Sequence, residues 1–304
     1  MEGSIDSIRG ALVLGAQTAG VPLDERDANH LAHRAILCEA ALGPRFQPGD
    51  LCGKAETALL NRGHRAFANV VRSALSLDSV EPLFDIVERI ARLGFVAVLS
   101  PTPFPVALRL GRTTMLFVGC FSGPPTLIDV ALCLGWTICV PTNAPLDIDF
   151  PKFGGRKNER GAFAQRFAEC LLLPPAGMGV ALREIRRSLE VATDAIGDIE
   201  LIYLARIFGV PFEVAARRCQ EEHLIPRGGA RALIEFVNDS FGGEQQRATQ
   251  LGIPSGPIFQ LVPLPAAALT AISTKLPKSE SVEEFCYQLG LSPRDLDTMD
   301  AERR

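Results

Sequence analysis

The sequence predicts an α+β fold, mostly helical, with a small antiparallel sheet packed on helices. Apolar residues recur at helical spacing in most segments, which is typical of amphipathic helices. Between residues 95 and 120, three short apolar runs containing β-branched residues are separated by proline and glycine, which favours a small sheet. Apolar residues make up 47% of the 304 residues, which is enough for a large core.

The first 78 residues are predicted to be helical. Residues 24–41 contain good helix formers, begin at an acidic capping position and end before Gly43-Pro44. Residues 54–76 and 81–93 repeat the amphipathic pattern, and the second of these helices leads into the predicted sheet.

The predicted strands are 95–99, 106–110 and 113–120. The elements expected after them are a buried helix over 125–138, a loop over 141–158 and helices over 159–172, 180–190, 199–208 and 211–222. The tail has a glycine break at 242–243, an extended stretch over 253–268 and a helix-turn-helix-like end over 281–297.

Two stretches in the middle of the chain carry a family resemblance. Residues 164–174 read A-Q-R-F-A-E-C-L-L-L-P, and residues 204–211 read L-A-R-I-F-G-V-P. With the upstream order of a helix, three strands and a helix, these stretches resemble the ImmA/IrrE family of zinc metallopeptidases. The resemblance covers about residues 83–225. It implies a peptidase-like domain over 79–245 whose sheet packs on metallopeptidase-like helices, between a helical region (1–78) and a C-terminal extension (246–304).

The resemblance also implies where chemistry would be located. Active members carry H-E-x-x-H on the helix after the sheet, because histidines at i and i+4 bind one zinc and the glutamate acts as general base. This chain has four histidines, and none lies between His64 and His223. The family's zinc ligands are therefore missing from the segment that should hold them.

Two alignments of that helix are open, and both lose the base. Aligning the Thr126-Leu127 entry puts Asp129 and Cys133 at the histidine positions and Val130 at the base. Aligning Leu134-Gly135 instead puts Leu132, Cys133 and Trp136 at the positions of the two histidines and the base.

The third family ligand is a glutamate, and the nearest one here is Glu159, with Gly161 at the expected place. The degenerate positions are thus predicted to be Asp129, Val130, Cys133 and Glu159, with no catalytic residue, metal or cofactor. A residual metal site formed by the three polar residues of that set is the alternative. A second metal candidate, His30 and His33 with Cys38, is better explained by ordinary surface or partly buried histidines.

The function predicted from the resemblance is a catalytically inactive regulator in bacterial or phage transcription control, acting on a repressor, on the transcription machinery or on DNA. The net charge of 31 − 35 = −4 opposes a general coat of positive charge for DNA. Local nucleic-acid contacts are predicted at Arg62, Arg65, Arg72, Arg217 and Arg218. The alternatives are a small-molecule sensor or interaction module that uses the emptied cleft, and a divergent metal-dependent hydrolase.

The location predicted from composition is the cytoplasm. No apolar run reaches the roughly 18–20 residues needed to cross a bilayer, and the acidic N-terminus does not resemble a secretory signal. Eight cysteines without a C-x-x-C pair indicate reduced thiols.

Overall fold

A four-stranded sheet lies between two helical layers in the computed structural model, which describes residues 2–42, 63–111, 113–119, 125–139, 146–152, 158–262, 264, 287 and 289–291. The strands are β1 (Phe95–Leu99), β2 (Val106–Leu110), β3 (Thr113–Val118) and β4 (Leu146–Asp149). The helices are α1 (Glu2–Ala19), α2 (Glu25–Leu42), α3 (His64–Ala74), α4 (Ile86–Ala91), α5 (Leu127–Ile138), α6 (Glu159–Leu172), α7 (Pro175–Ser188), α8 (Asp198–Phe208), α9 (Phe212–Glu221), α10 (Gly229–Phe241) and α11 (Glu244–Gln250). The α+β prediction is confirmed.

The sheet is mixed, with the strand order β1-β3-β2-β4. β2 runs antiparallel to both β3 and β4, whereas β1 runs parallel to β3. The prediction of a purely antiparallel sheet was therefore wrong for the β1–β3 pair. Strand order depends on how the chain returns after each strand, and residue periodicity does not encode it.

β4 lies within the predicted loop over 141–158, so this part of the loop prediction was wrong. Its sequence alternates apolar and acidic residues, Leu146-Asp147-Ile148-Asp149, and pairs with β2 from Leu146 opposite Leu110 to Asp149 opposite Ala107. A strand of four residues is too short to be identified from periodicity alone. Its pairing with β2 stabilises it in the folded protein.

Each face of the sheet builds its own core. Phe95 and Ala97 point into the first core with α3 to α11, while Val96 and Val98 point into the second core with α1 and α2. This alternation follows from the two-residue period of a strand. Because both faces are covered, β1 and β3 are buried along their length apart from Leu99, which explains their continuous apolar runs.

The helices of the region 1–78 do not stay together. α1 and α2 cover one face of the sheet, but α3 packs against α6 on the other side, where the ring centroids of Phe67 and Phe167 are 5.5 Å apart. The tail is divided in the same way: Leu261 belongs to the first core, and Leu264 and Leu289 belong to the second. Packing therefore continues across the sequence boundaries at residues 78 and 245.

Most predicted helices are present with shifted ends. α6 has the predicted bounds, whereas α7 begins at Pro175, five residues earlier than predicted, because proline is favoured in the first helical turn. α10 and α11 form in a segment where the sequence analysis placed no helix. The predicted end over 281–297 lies mostly outside the described residues. No helix in the described ranges combines the length and apolar character needed to cross a membrane.

Candidate functional site

The first degenerate position, Asp129, caps a helix. α5 begins after Thr126, and the Asp129 carboxylate accepts hydrogen bonds of 2.7 Å from both the backbone N–H and the hydroxyl of Thr126. An acid in this position satisfies an otherwise unpaired backbone donor and interacts favourably with the helix dipole. The structure therefore gives Asp129 a folding role at the helix start.

Val130 and Cys133 belong to the first core, where both side chains are buried. Burial raises the pKa of the Cys133 thiol, and the nearby Asp129 carboxylate raises it further. Such a thiol stays protonated and is a poor metal ligand. Glu159 is exposed in the first turn of α6. Among the residues that the structure describes, no group of three or more His, Cys, Asp or Glu side chains is placed to hold a metal ion.

Two arginines predicted to contact nucleic acid are buried. Arg72 is 2% exposed and donates to the carbonyl oxygens of Leu171 (2.7 Å), Asp78 (2.5 Å) and Glu81 (2.5 Å). Arg218 is 1% exposed and bonds to Glu221 at 2.6 Å, and to Glu222. Phosphate contacts need exposed cations, so the prediction for Arg72 and Arg218 was wrong. Their guanidinium groups instead connect backbone and side chains inside the helical layer.

The other described arginines that were predicted to contact nucleic acid form ion pairs within the same helical layer. Arg65 pairs with Glu222, and Arg217 pairs with the buried carboxylate of Glu169 at 2.8 Å. Arg62 lies outside the described residues.

The helix pair α8–α9 is an internal hairpin. Most of α9 is buried, including these residues: Phe212, Val214, Ala215, Ala216, Arg218 and Cys219. A recognition helix must present an exposed face to the major groove. The order of helix, short turn and helix over 198–222, which is similar to a helix-turn-helix motif, therefore reflects core packing.

A polar cluster joins β4 to the two central helices. The Asp149 carboxylate accepts a 2.9 Å hydrogen bond from the Trp136 indole and lies 2.5 Å from the Arg160 guanidinium. The Arg160 guanidinium also lies 4.1 Å from the Trp136 ring centroid, within cation–π range. A cavity of about 10 Å³ adjoins the cluster. These contacts fix β4 against α5 and α6.

An open groove of about 490 Å³ lies between α1 and β4. Its lining comes from Ala11, Leu14, Gly15, Thr18 and Ala19 of α1, and from Leu146, Asp147, Ile148, Asp149 and Phe150. Residues from both faces of β4 line it, so the groove follows the edge of the strand. Within the described ranges, β2 is the strand paired with β4, and the other edge of β4 faces this groove.

The groove was not expected from the sequence, because β4 lies in a predicted loop and α1 was not predicted as a separate helix. The available signal was the alternation of apolar and acidic residues over 146–149, which is typical of a half-buried strand.

Comparison with protein-family models, with curated proteins and with solved structures found no match to this chain. The resemblance to the ImmA/IrrE family therefore stays a prediction.

Proposed function

We propose that this chain is a non-catalytic regulator that acts by binding another protein, in bacterial or phage transcription control. The observation that carries the binding role is the groove between α1 and β4, which runs along an edge of β4 that no described strand covers. Extended segments of other proteins bind such edges by adding a strand. The setting in transcription control comes from the sequence resemblance.

The helix at the expected peptidase position supports a non-catalytic role. Asp129 is engaged in capping, and Val130, which one alignment puts at the family's general base, fills the core. The aromatic residue Phe163 on α6 is also buried in the first core. These side chains stabilise the fold.

The arginines that were predicted to contact nucleic acid favour a protein partner over DNA. Arg72 and Arg218 are buried, and Arg65 and Arg217 are paired with carboxylates. A DNA-binding face would need several exposed cations that are not already neutralised.

The test is complementation of a deletion strain, with transcript levels as the measurement. We expect wild-type protein and the triple variant Asp129→Asn, Cys133→Ala, Glu159→Gln to restore the affected transcripts equally. The variant removes every ionisable side chain from the degenerate positions while keeping the amide oxygen that caps α5. A stable triple variant that fails to complement would contradict the proposal, since these groups would then perform chemistry.

A second variant tests the groove. Leu14→Glu places a charge at a position that is 66% exposed, so it should fold normally. We expect it to lose complementation, because the groove rim becomes acidic and polar. Full complementation by this variant would show that the regulated partner binds elsewhere.

A further inference from the structure

We propose that the groove between α1 and β4 binds an extended segment of another protein in which basic and apolar residues alternate. The segment adds as a fifth strand to the outer edge of β4. This inference rests on the proposed function and names the chemistry of the partner.

The groove has the length of a short strand. The four residues of β4 span roughly 13 Å at about 3.3 Å per residue, so the added segment would pair over four or five residues. The main-chain groups along the outer edge of β4 supply affinity without sequence preference. Preference must come from side chains on the two faces of the strand.

One face of the added strand would meet apolar side chains. Leu146, Ile148 and Phe150 point toward α1 and pack with the second core. On α1, Gly15 lies so close to β4 that a Cβ there would be 3.1 Å from the Phe150 ring. Leu14 stands exposed on the rim. Every second side chain of the segment is therefore expected to be apolar.

The other face would meet carboxylates. Asp147 and Asp149 point away from α1 and line the small polar cavity beside Arg160. The positive partners lie on the inner side, since Arg109 is opposite Asp147 on β2 and Arg160 comes from α6. Arg160 and Trp136 already hold the Asp149 carboxylate, so Asp147 is the carboxylate that an added strand would meet. Opposite charges on directly facing residues stabilise strand pairs.

A second copy of the chain fits this edge poorly. An antiparallel β4–β4 pair that keeps apolar residues on one face and overlaps three residues must be centred on Asp147 or on Ile148. The first register places Asp147 opposite its own copy, and the second places Asp147 opposite Asp149 twice. Like charges directly opposite are destabilising, and inward charges on edge strands oppose self-pairing.

The test is fluorescence anisotropy with two labelled peptides of eight residues, one alternating valine and lysine and one alternating valine and glutamate. We expect the lysine peptide to bind the full-length protein about fivefold more tightly, since the cross-strand pair with Asp147 changes from repulsive to attractive. Asp147→Asn should reduce this preference, and Asp147→Lys should reverse it. Asp239→Asn on the exposed face of α10 makes the same charge change as Asp147→Asn outside the groove and should leave the preference intact.

Equal affinity for the two peptides, or an equal effect of the Asp147→Asn and Asp239→Asn variants, would overturn the inference. A dimer in sedimentation experiments that Ile148→Pro converts to monomer would overturn it as well, because β4 would then pair with its own copy. Circular dichroism of each variant excludes unfolding as the cause. If peptide binding fails while Leu14→Glu still abolishes complementation, the proposed function stands and only the partner chemistry is wrong.

Discussion

Arginines connect distant parts of this chain through backbone carbonyls. Arg34 is 2% exposed and donates to the carbonyls of Leu99 (2.8 Å), Leu289 (2.7 Å) and Gly290 (3.0 Å). Arg72 does the same in the other helical layer. Hydrogen bonds from a charged donor contribute about 1.5–3 kcal/mol each to the stability of the fold. These arginines therefore join segments that are far apart in the sequence.

His30, on α2, makes the stability of the protein depend on pH. Burial lowers the pKa of His30 below its ordinary value of about 6.5, and the positive charges of Arg34 and Arg26 lower it further. Asp27 and a hydrogen bond with the Tyr287 backbone oppose this shift only in part. The folded state therefore disfavours the charged imidazole.

We expect the free energy of unfolding to fall as the pH drops below about 6.5, because the unfolded chain then binds a proton that the folded chain resists. Above that pH His30 causes no destabilisation. Below it, the free energy of unfolding falls by at most about 1.4 kcal/mol per pH unit for one group. Urea unfolding between pH 7.5 and 5 measures it. His30→Gln should remove this part of the pH dependence, and His33→Gln on the same helix should retain it. Identical pH profiles for wild type and His30→Gln would refute the assignment.

At the scale of elements, residues 287 and 289–291 dock on α2. Leu289 and Leu291 are buried in the second core, and Gly290 adopts a left-handed φ of 63° against the His30 ring. The Arg26 guanidinium lies 5.6 Å from the Tyr287 ring centroid. The segment thus completes a layer built mainly from the N-terminus.

Gly290→Ala should destabilise the protein more than Gly20→Ala by about 1 kcal/mol or more, as urea unfolding can measure. Both glycines have a positive φ, so both variants pay a similar backbone cost. Only at position 290 would the new Cβ also clash, 2.6 Å from the buried His30 imidazole, whereas nothing lies within 4 Å at position 20. Equal effects of the two substitutions would mean that residue 290 is not packed against α2.

At the scale of the whole molecule, one sheet serves two cores. β3 contributes Met115 to the second core and Leu116 to the first, and both are fully buried. The layer formed by α1 and α2 is therefore as much a part of the fold as the central helices. A division at residue 78 cuts through both cores.

A fragment spanning residues 79–245 should not fold as a native domain. It lacks α1, α2 and α3, which leaves Val96, Val98, Met115 and Phe117 uncovered. Each of these side chains loses about 1.5–3 kcal/mol of burial, and the sum rivals the total stability of a typical domain. We expect strong binding of a hydrophobic dye and no near-ultraviolet circular dichroism. A fragment spanning residues 1–291 keeps the described contacts and should fold. Native spectra from the 79–245 fragment would contradict the shared-sheet architecture.

Local pattern was sufficient for the class of fold and for most helices. The apolar stripe over 159–172 predicted α6 to the residue, and the three apolar runs predicted β1 to β3. Such signals are local, because a helix or strand exposes its periodicity within about a dozen residues. The lack of histidines between residues 64 and 223 was likewise evident without any structure.

Only the tertiary structure decided which side chains are available for function. It buried Arg72 and Arg218, engaged Asp129 as a cap and placed β4 beside α1, more than 120 positions away along the chain. The physical reason is that burial, ion pairing and strand order depend on contacts between segments that are far apart in sequence. An arginine on an amphipathic helix has the same local pattern whether its guanidinium reaches solvent or a carbonyl of another helix.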